Sequence, residues 1–134
     1  IDASAEPVYG SVELTAGFTP DPYTLALTPG GDNDARTVSE SCIGNVGGAP
    51  DFDLYYTSGS YPLHIYVESD SDTTLVINTP DGEWICDDDS SVGLNPGVSF
   101  KSPADGLYDI WVGTFGGAEG EATLNISENA MPTD

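Results

Sequence analysis

Basic residues are almost missing from this chain. Arg36 and Lys101 are its only two, set against 23 acidic side chains, for a formal charge of −21 on 134 residues. That shortage excludes nucleic acid as a partner, because no basic patch exists to displace counterions from phosphates. A negatively charged membrane surface is excluded on the same ground. Also absent is any apolar run approaching the roughly 18 residues that a bilayer span needs, so no membrane insertion is expected. No basic segment precedes an apolar one as in a signal peptide; if the protein is exported, that signal has been removed or lies outside this stretch. Histidine occurs once, at His64, and no stretch carries the spacing of a helix of even three turns.

What the chain does have is alternation. "YGSVELT" (9–15), "YTLALTPG" (23–30), "FDLYYTSG" (52–59), "LHIYVES" (63–69) and "TTLVINTP" (73–80) alternate with period two and are bounded by Gly, Pro, Asn or Asp. "EWICD" (83–87), "GVSFKS" (97–102), "LYDIWVGTF" (107–115) and "GEATLNIS" (120–127) read the same way. The spacing predicts one all-β domain over 1–134, an antiparallel β-sandwich with about 8–10 short strands, a closed barrel being the alternative. "IDASAEP" and "NAMPTD" read as flexible ends, covering 1–8 and 128–134. In "NTPDGEW" the Asp81-Gly82 pair supplies the positive φ angles of a tight hairpin. The acidic run that follows, Asp87, Asp88 and Asp89, then lies on a loop where the chain leaves the sheet.

The two cysteines, Cys42 and Cys86, have no CxxC or histidine spacing that would suggest zinc or redox catalysis. A disulfide between them closes a loop of about 45 residues, worth on the order of 4 kcal/mol in the chain-entropy model. It requires an oxidising compartment, so the expected location is secreted or periplasmic. Two unlinked buried thiols are the alternative.

Several of these segments, taken in order, resemble the bacterial pre-peptidase C-terminal domain family, which includes the collagen-binding domains of clostridial collagenases; the resemblance implies a sandwich of jelly-roll type. The residues that carry the likeness are Asp51-Phe52-Asp53 opening a Tyr-rich strand, "DTTL" (72–75), Asp81-Gly82, the acidic loop 87–89, and "GLYDIWV" (106–112). The likeness covers residues 50–127. Earlier, "GDNDARTV" (31–38) is similar to the family's acidic lead-in, without its usual Glu-Pro. The resemblance implies a non-catalytic accessory domain of an exported protein, beside a secreted hydrolase, a surface protein or an extracellular polymer.

It also implies calcium, bound through the lead-in and the Asp-x-Asp segment: Asp32, Asn33, Asp34, Asp51 and Asp53 offer the oxygens that this cation takes six to eight at a time. Asp87, Asp88 and Asp89 form a second candidate cluster, of which at most two would share one ion. Solvated turn and cap residues are the alternative for both clusters.

An enzyme is not expected. A Ser-His-Asp arrangement would have to use His64, which has no nucleophile context around it in sequence, and no long loops suggest a cleft for a carboxylate pair. A different class of function rests on "LYDIWV". If Tyr108, Ile110 and Val112 face the core, Asp109 and Trp111 lie outside, where an exposed indole beside a carboxylate would form a platform for a sugar or peptide. Trp111 covered by a loop or by the N-terminal segment is the competing expectation. Tyr55, Tyr56, Tyr61 and Tyr66 would extend such a surface.

Overall fold

In the strand Leu63–Ser69, Leu63, Ile65 and Val67 are fully buried while Glu68 is exposed, the half-buried alternation that lets one sheet face close on another. The same logic runs along the whole chain in this computed structural model, which describes residues 1–134. The strands are β1 (Ser11–Thr15), β2 (Tyr23–Leu27), β3 (Asn33–Asp34), β4 (Asn45–Val46), β5 (Phe52–Thr57) and β6 (Leu63–Ser69). They continue as β7 (Thr73–Asn78), β8 (Trp84–Asp87), β9 (Gly97–Phe100), β10 (Gly106–Thr114) and β11 (Ala122–Ser127). One 3-10 turn, Ala35–Thr37, follows β3. No helix is long and apolar enough to cross a membrane.

The strands form two packed sheets, a β-sandwich. One has four strands in the order β2-β11-β6-β9. The other has seven, organised on β10, which pairs with β5 along Gly106 to Ile110 and with β7 along Asp109 to Thr114. β1 extends this sheet beside β5, β8 extends it beside β7, and β4 and β3 continue it from Thr114. Every pairing is antiparallel except β1 with β5. That exception follows from the path: the chain leaves β1 for β2 in the opposite sheet and returns through β3 and β4, the long crossover a parallel pair demands.

All nine segments read as strands from the sequence are strands. β3 and β4, two residues each, are additions that no periodicity could signal. The 79–83 hairpin differs in detail from expectation. No residue other than glycine has positive φ, and the turn closes by Gly82 N–H donating to Thr79 O at 2.9 Å. Pro80 and Asp81 therefore occupy its centre, where a fixed proline φ suits a type I turn, and Gly82 alone, at φ 84°, takes the left-handed position.

Between the sheets lies a core of fifteen buried residues, among them Phe52, Leu54, Ile65, Leu75, Ile77, Tyr108, Ile110 and Leu124. Burying side chains of this size contributes roughly 1.5–3 kcal/mol each. A second, smaller core lies on the outer face of the seven-stranded sheet: Ala35, Cys42, Val46, Val76 and Trp111, with Ile1, Ala3, Trp84 and Cys86 packed on it. The central strands are thus covered on both faces. The first of the two expected flexible ends contributes Ile1 and Ala3 to this covering. Residues 1–8 run along the sheet through Asp2 N–H to Gly48 O and Val8 N–H to Pro50 O. Near the other end, Ser91 Oγ donates to Pro132 O at 2.8 Å and Gly93 N–H donates to the Asp134 carboxylate.

Candidate functional site

Asp87 closes β8, and both oxygens of its carboxylate accept hydrogen bonds. It accepts from Ser90 N–H at 2.8 Å, Ser90 Oγ at 2.6 Å and Gly97 N–H at 2.9 Å, which ties the acidic loop to the start of β9. Asp88 and Asp89 have no such donors. Burial, then the charges of Asp89 and Asp87, raises the Asp88 carboxyl above its ordinary value. One oxygen from each of the three lies within 4.8 Å of the others, half-buried to exposed. An all-oxygen set at this spacing matches what a hard cation such as calcium takes.

The lead-in and Asp-x-Asp residues do not gather in this way; the acidic loop supplies the chain's only such group of three. Most of them instead have local tasks. Asp34 caps the 3-10 turn by accepting from Arg36 N–H at 2.9 Å, and Asn33 Nδ2 donates to Val46 O at 3.3 Å. Asp32 is exposed. Asp51, almost fully buried, accepts from Val112 N–H at 2.7 Å, where β10 passes from β5 to β4. Its burial pushes the carboxyl up to about 6, against the lowering effect of that hydrogen bond.

Asp53 and Asp109 face each other across β5 and β10 as direct register partners, 5 % and 4 % exposed. No N–H or hydroxyl reaches Asp53 Oδ1 or Asp109 Oδ1. Burial, then the hydrogen bond and charge of Asp109, pushes Asp53 up to about 7; burial also raises Asp109, which the hydrogen bond from Asp53 opposes. Burial and mutual repulsion therefore favour one proton shared by the pair over two bare carboxylates. Sequence alternation placed Asp109 outward. The partner came from strand register, which the sequence does not display.

Trp111 also faces outward from the sandwich core, yet it is fully buried. It stands in the second core against Trp84, ring centroids 5.3 Å apart, beside the Cys42–Cys86 disulfide. The platform expected at Asp109 and Trp111 is therefore covered, by the N-terminal residues and the 35–46 segment. Tyr56 and Tyr66 are buried too. Tyr55 and Tyr61 are the exposed tyrosines, at 45 % and 51 %. Tyr55 stands between two hollows on the outer face of β1 and β5, of about 470 and 360 Å³.

His64 acquires a partner that inspection of the sequence missed. β6 and β9 pair with His64 opposite Ser99, and Nδ1 lies 2.7 Å from Ser99 Oγ. Burial lowers the imidazole below its ordinary value, opposed by the charge of Asp21. Asp21 directs its own Oδ2 to Glu128 N–H at 2.9 Å and makes no hydrogen bond to the ring, so the three do not form a relay. No protein-family model matches the chain, and no curated protein matches it.

Proposed function

We propose that this chain is a non-catalytic interaction module of an exported protein, of pre-peptidase C-terminal type, working beside a hydrolase, a surface protein or an extracellular polymer. The Cys42–Cys86 disulfide, Cα atoms 5.3 Å apart, carries the reading. It joins the 35–46 segment to β8 inside the second core, and such a bond persists in an oxidising, extracytoplasmic setting. The order of the motifs supports the family: "DTTL" opens β7, Asp81-Gly82 turns the hairpin, the acidic loop leaves β8, and "GLYDIWV" runs along central β10.

Calcium belongs to the proposal at Asp87, Asp88 and Asp89. A bound ion there would supply the positive charge that these crowded carboxylates lack, and would pin the loop 88–96. Differential scanning calorimetry with calcium, then with EDTA, tests it. The expected result is a higher Tm in calcium that EDTA reverses and that the double variant Asp88→Asn/Asp89→Asn no longer shows. An equal shift in the double variant would remove the ion from this loop. The second reading, a peptide- or carbohydrate-binding module, is favoured by exposed Tyr55 in place of the covered Trp111.

A further inference from the structure

The outer face of β1 and β5 brings together features that no part of the fold uses. Tyr55 is nearly half exposed and forms a ridge. On one side the larger hollow is walled by Glu6, Val8 and Ser11, with Asp53 lining it. On the other, the smaller one is lined by Glu13, Thr15, Thr57 and Asp105. Asp105 is held in place by Ser58, whose N–H and Oγ both donate to its Oδ1 and keep its carboxyl below the ordinary range. Asp53 is 95 % buried, the complement of its 5 % exposure, and its Oδ1 meets no N–H or hydroxyl of the protein. No lysine, arginine or histidine lines either hollow.

The donor and acceptor inventory decides what fits. A sugar presents hydroxyls that both give and receive, and is held by sites mixing amide or basic donors with carboxylates. These hollows offer three carboxylates, the Asp53 carboxyl of the proton-sharing pair and a few hydroxyls, with no side-chain N–H. Their complement is a group that only donates and is positively charged. A guanidinium meets both requirements, binds carboxylates with two parallel hydrogen bonds, and stacks on an aromatic face.

We propose that the Tyr55 ridge is a docking site for an arginine side chain of a basic peptide, with the guanidinium stacked on Tyr55 and bonded by Asp53 and Glu6 or Glu13. The proposal rests on the reading of the chain as an interaction module and is independent of calcium at Asp87, Asp88 and Asp89.

The test is an NMR titration of the intact, disulfide-bonded protein with the peptide Ac-Gly-Arg-Gly-Arg-Gly-amide and with its citrulline counterpart. Saturable shifts centred on Ser11, Asp53 and Tyr55 are expected with the arginine peptide alone. Affinity should fall about tenfold in Tyr55→Ala, the loss of a stacked cation. Asp53→Asn should weaken binding as well, and if that variant fails to fold, the exposed Glu13→Gln serves in its place. Non-saturating shifts spread over the acidic loop and Glu119 would mean counterion binding only and would overturn the site. Equal response to the citrulline peptide, or shifts at Tyr55 with cellotriose but not with arginine, would overturn the cation and leave the module reading standing. Binding of the arginine peptide at another face, unchanged in Tyr55→Ala, would do the same.

Discussion

Burial acts on individual carboxyls here more strongly than the overall charge does. Asp53, pushed up to about 7, and Asp51, up to about 6, both hold protons more tightly in the folded chain than in the unfolded one. The sign follows from linkage. Stability from such groups is complete below the unfolded value of roughly 4 and is lost as pH rises through 6 to 7. Urea unfolding should therefore give a lower midpoint at pH 8 than at pH 5. Asp53→Asn, which keeps a neutral side chain at every pH, should flatten that fall and at pH 8 be at least as stable as the parent. Identical pH profiles for the two proteins would mean that the carboxyl pair is not protonated near neutrality. Of this site the sequence displayed one half. Period-two alternation put Asp109 on the outward face, but nothing in it showed that Asp53 would stand opposite, or that Trp111, two residues on, would be roofed over.

Among the elements, β10 does the most, pairing with β5, β7 and β4 at once. Its outward row ends at Gly113, where an added Cβ would lie 2.5 Å from Thr74 Oγ1, 2.7 Å from Asn45 O and 2.8 Å from Val46 Cγ1. Two of these neighbours belong to β4, the short strand docked at this end. Gly113→Ala should accordingly cost about 1–3 kcal/mol through overpacking, whereas Gly48→Ala, whose nearest neighbour would be 3.8 Å away, should be close to neutral. Chemical denaturation of both variants checks this, and equal stabilities would mean that β4 yields readily. Every strand of four residues or more was legible from alternation and its flanking turn residues. β3 and β4 were not, since two residues carry no period. They exist because β10 is longer than β5 and leaves backbone for β4 to pair with and for the Asp51 carboxylate to reach at Val112.

For the molecule as a whole, stability is divided between two cores, and the disulfide sits in the smaller. Removing the 42–86 link, by reduction or by Cys42→Ala/Cys86→Ala, should lower the unfolding free energy by about 4 kcal/mol in the loop-entropy picture. Urea titration with and without reductant reads this directly; an unchanged midpoint would mean that packing around Trp111 holds the segment without the bond. The charge of −21 acts in the opposite direction, through self-repulsion that salt relieves. Reduced protein should therefore regain part of its lost stability in high salt.

From the sequence alone came the class and the boundaries of nearly every strand, because alternation and turn residues act locally and each short segment carries its own signal. The cysteine pairing was legible for the simpler reason that only two exist. The meeting of Asp53 with Asp109, the Ser99 partner of His64, the exposure of Tyr55 and the covering of Trp111 were decided only by the tertiary structure. Each depends on strand register, or on which distant segment lies across a face, and neither is written in the spacing of residues along one strand.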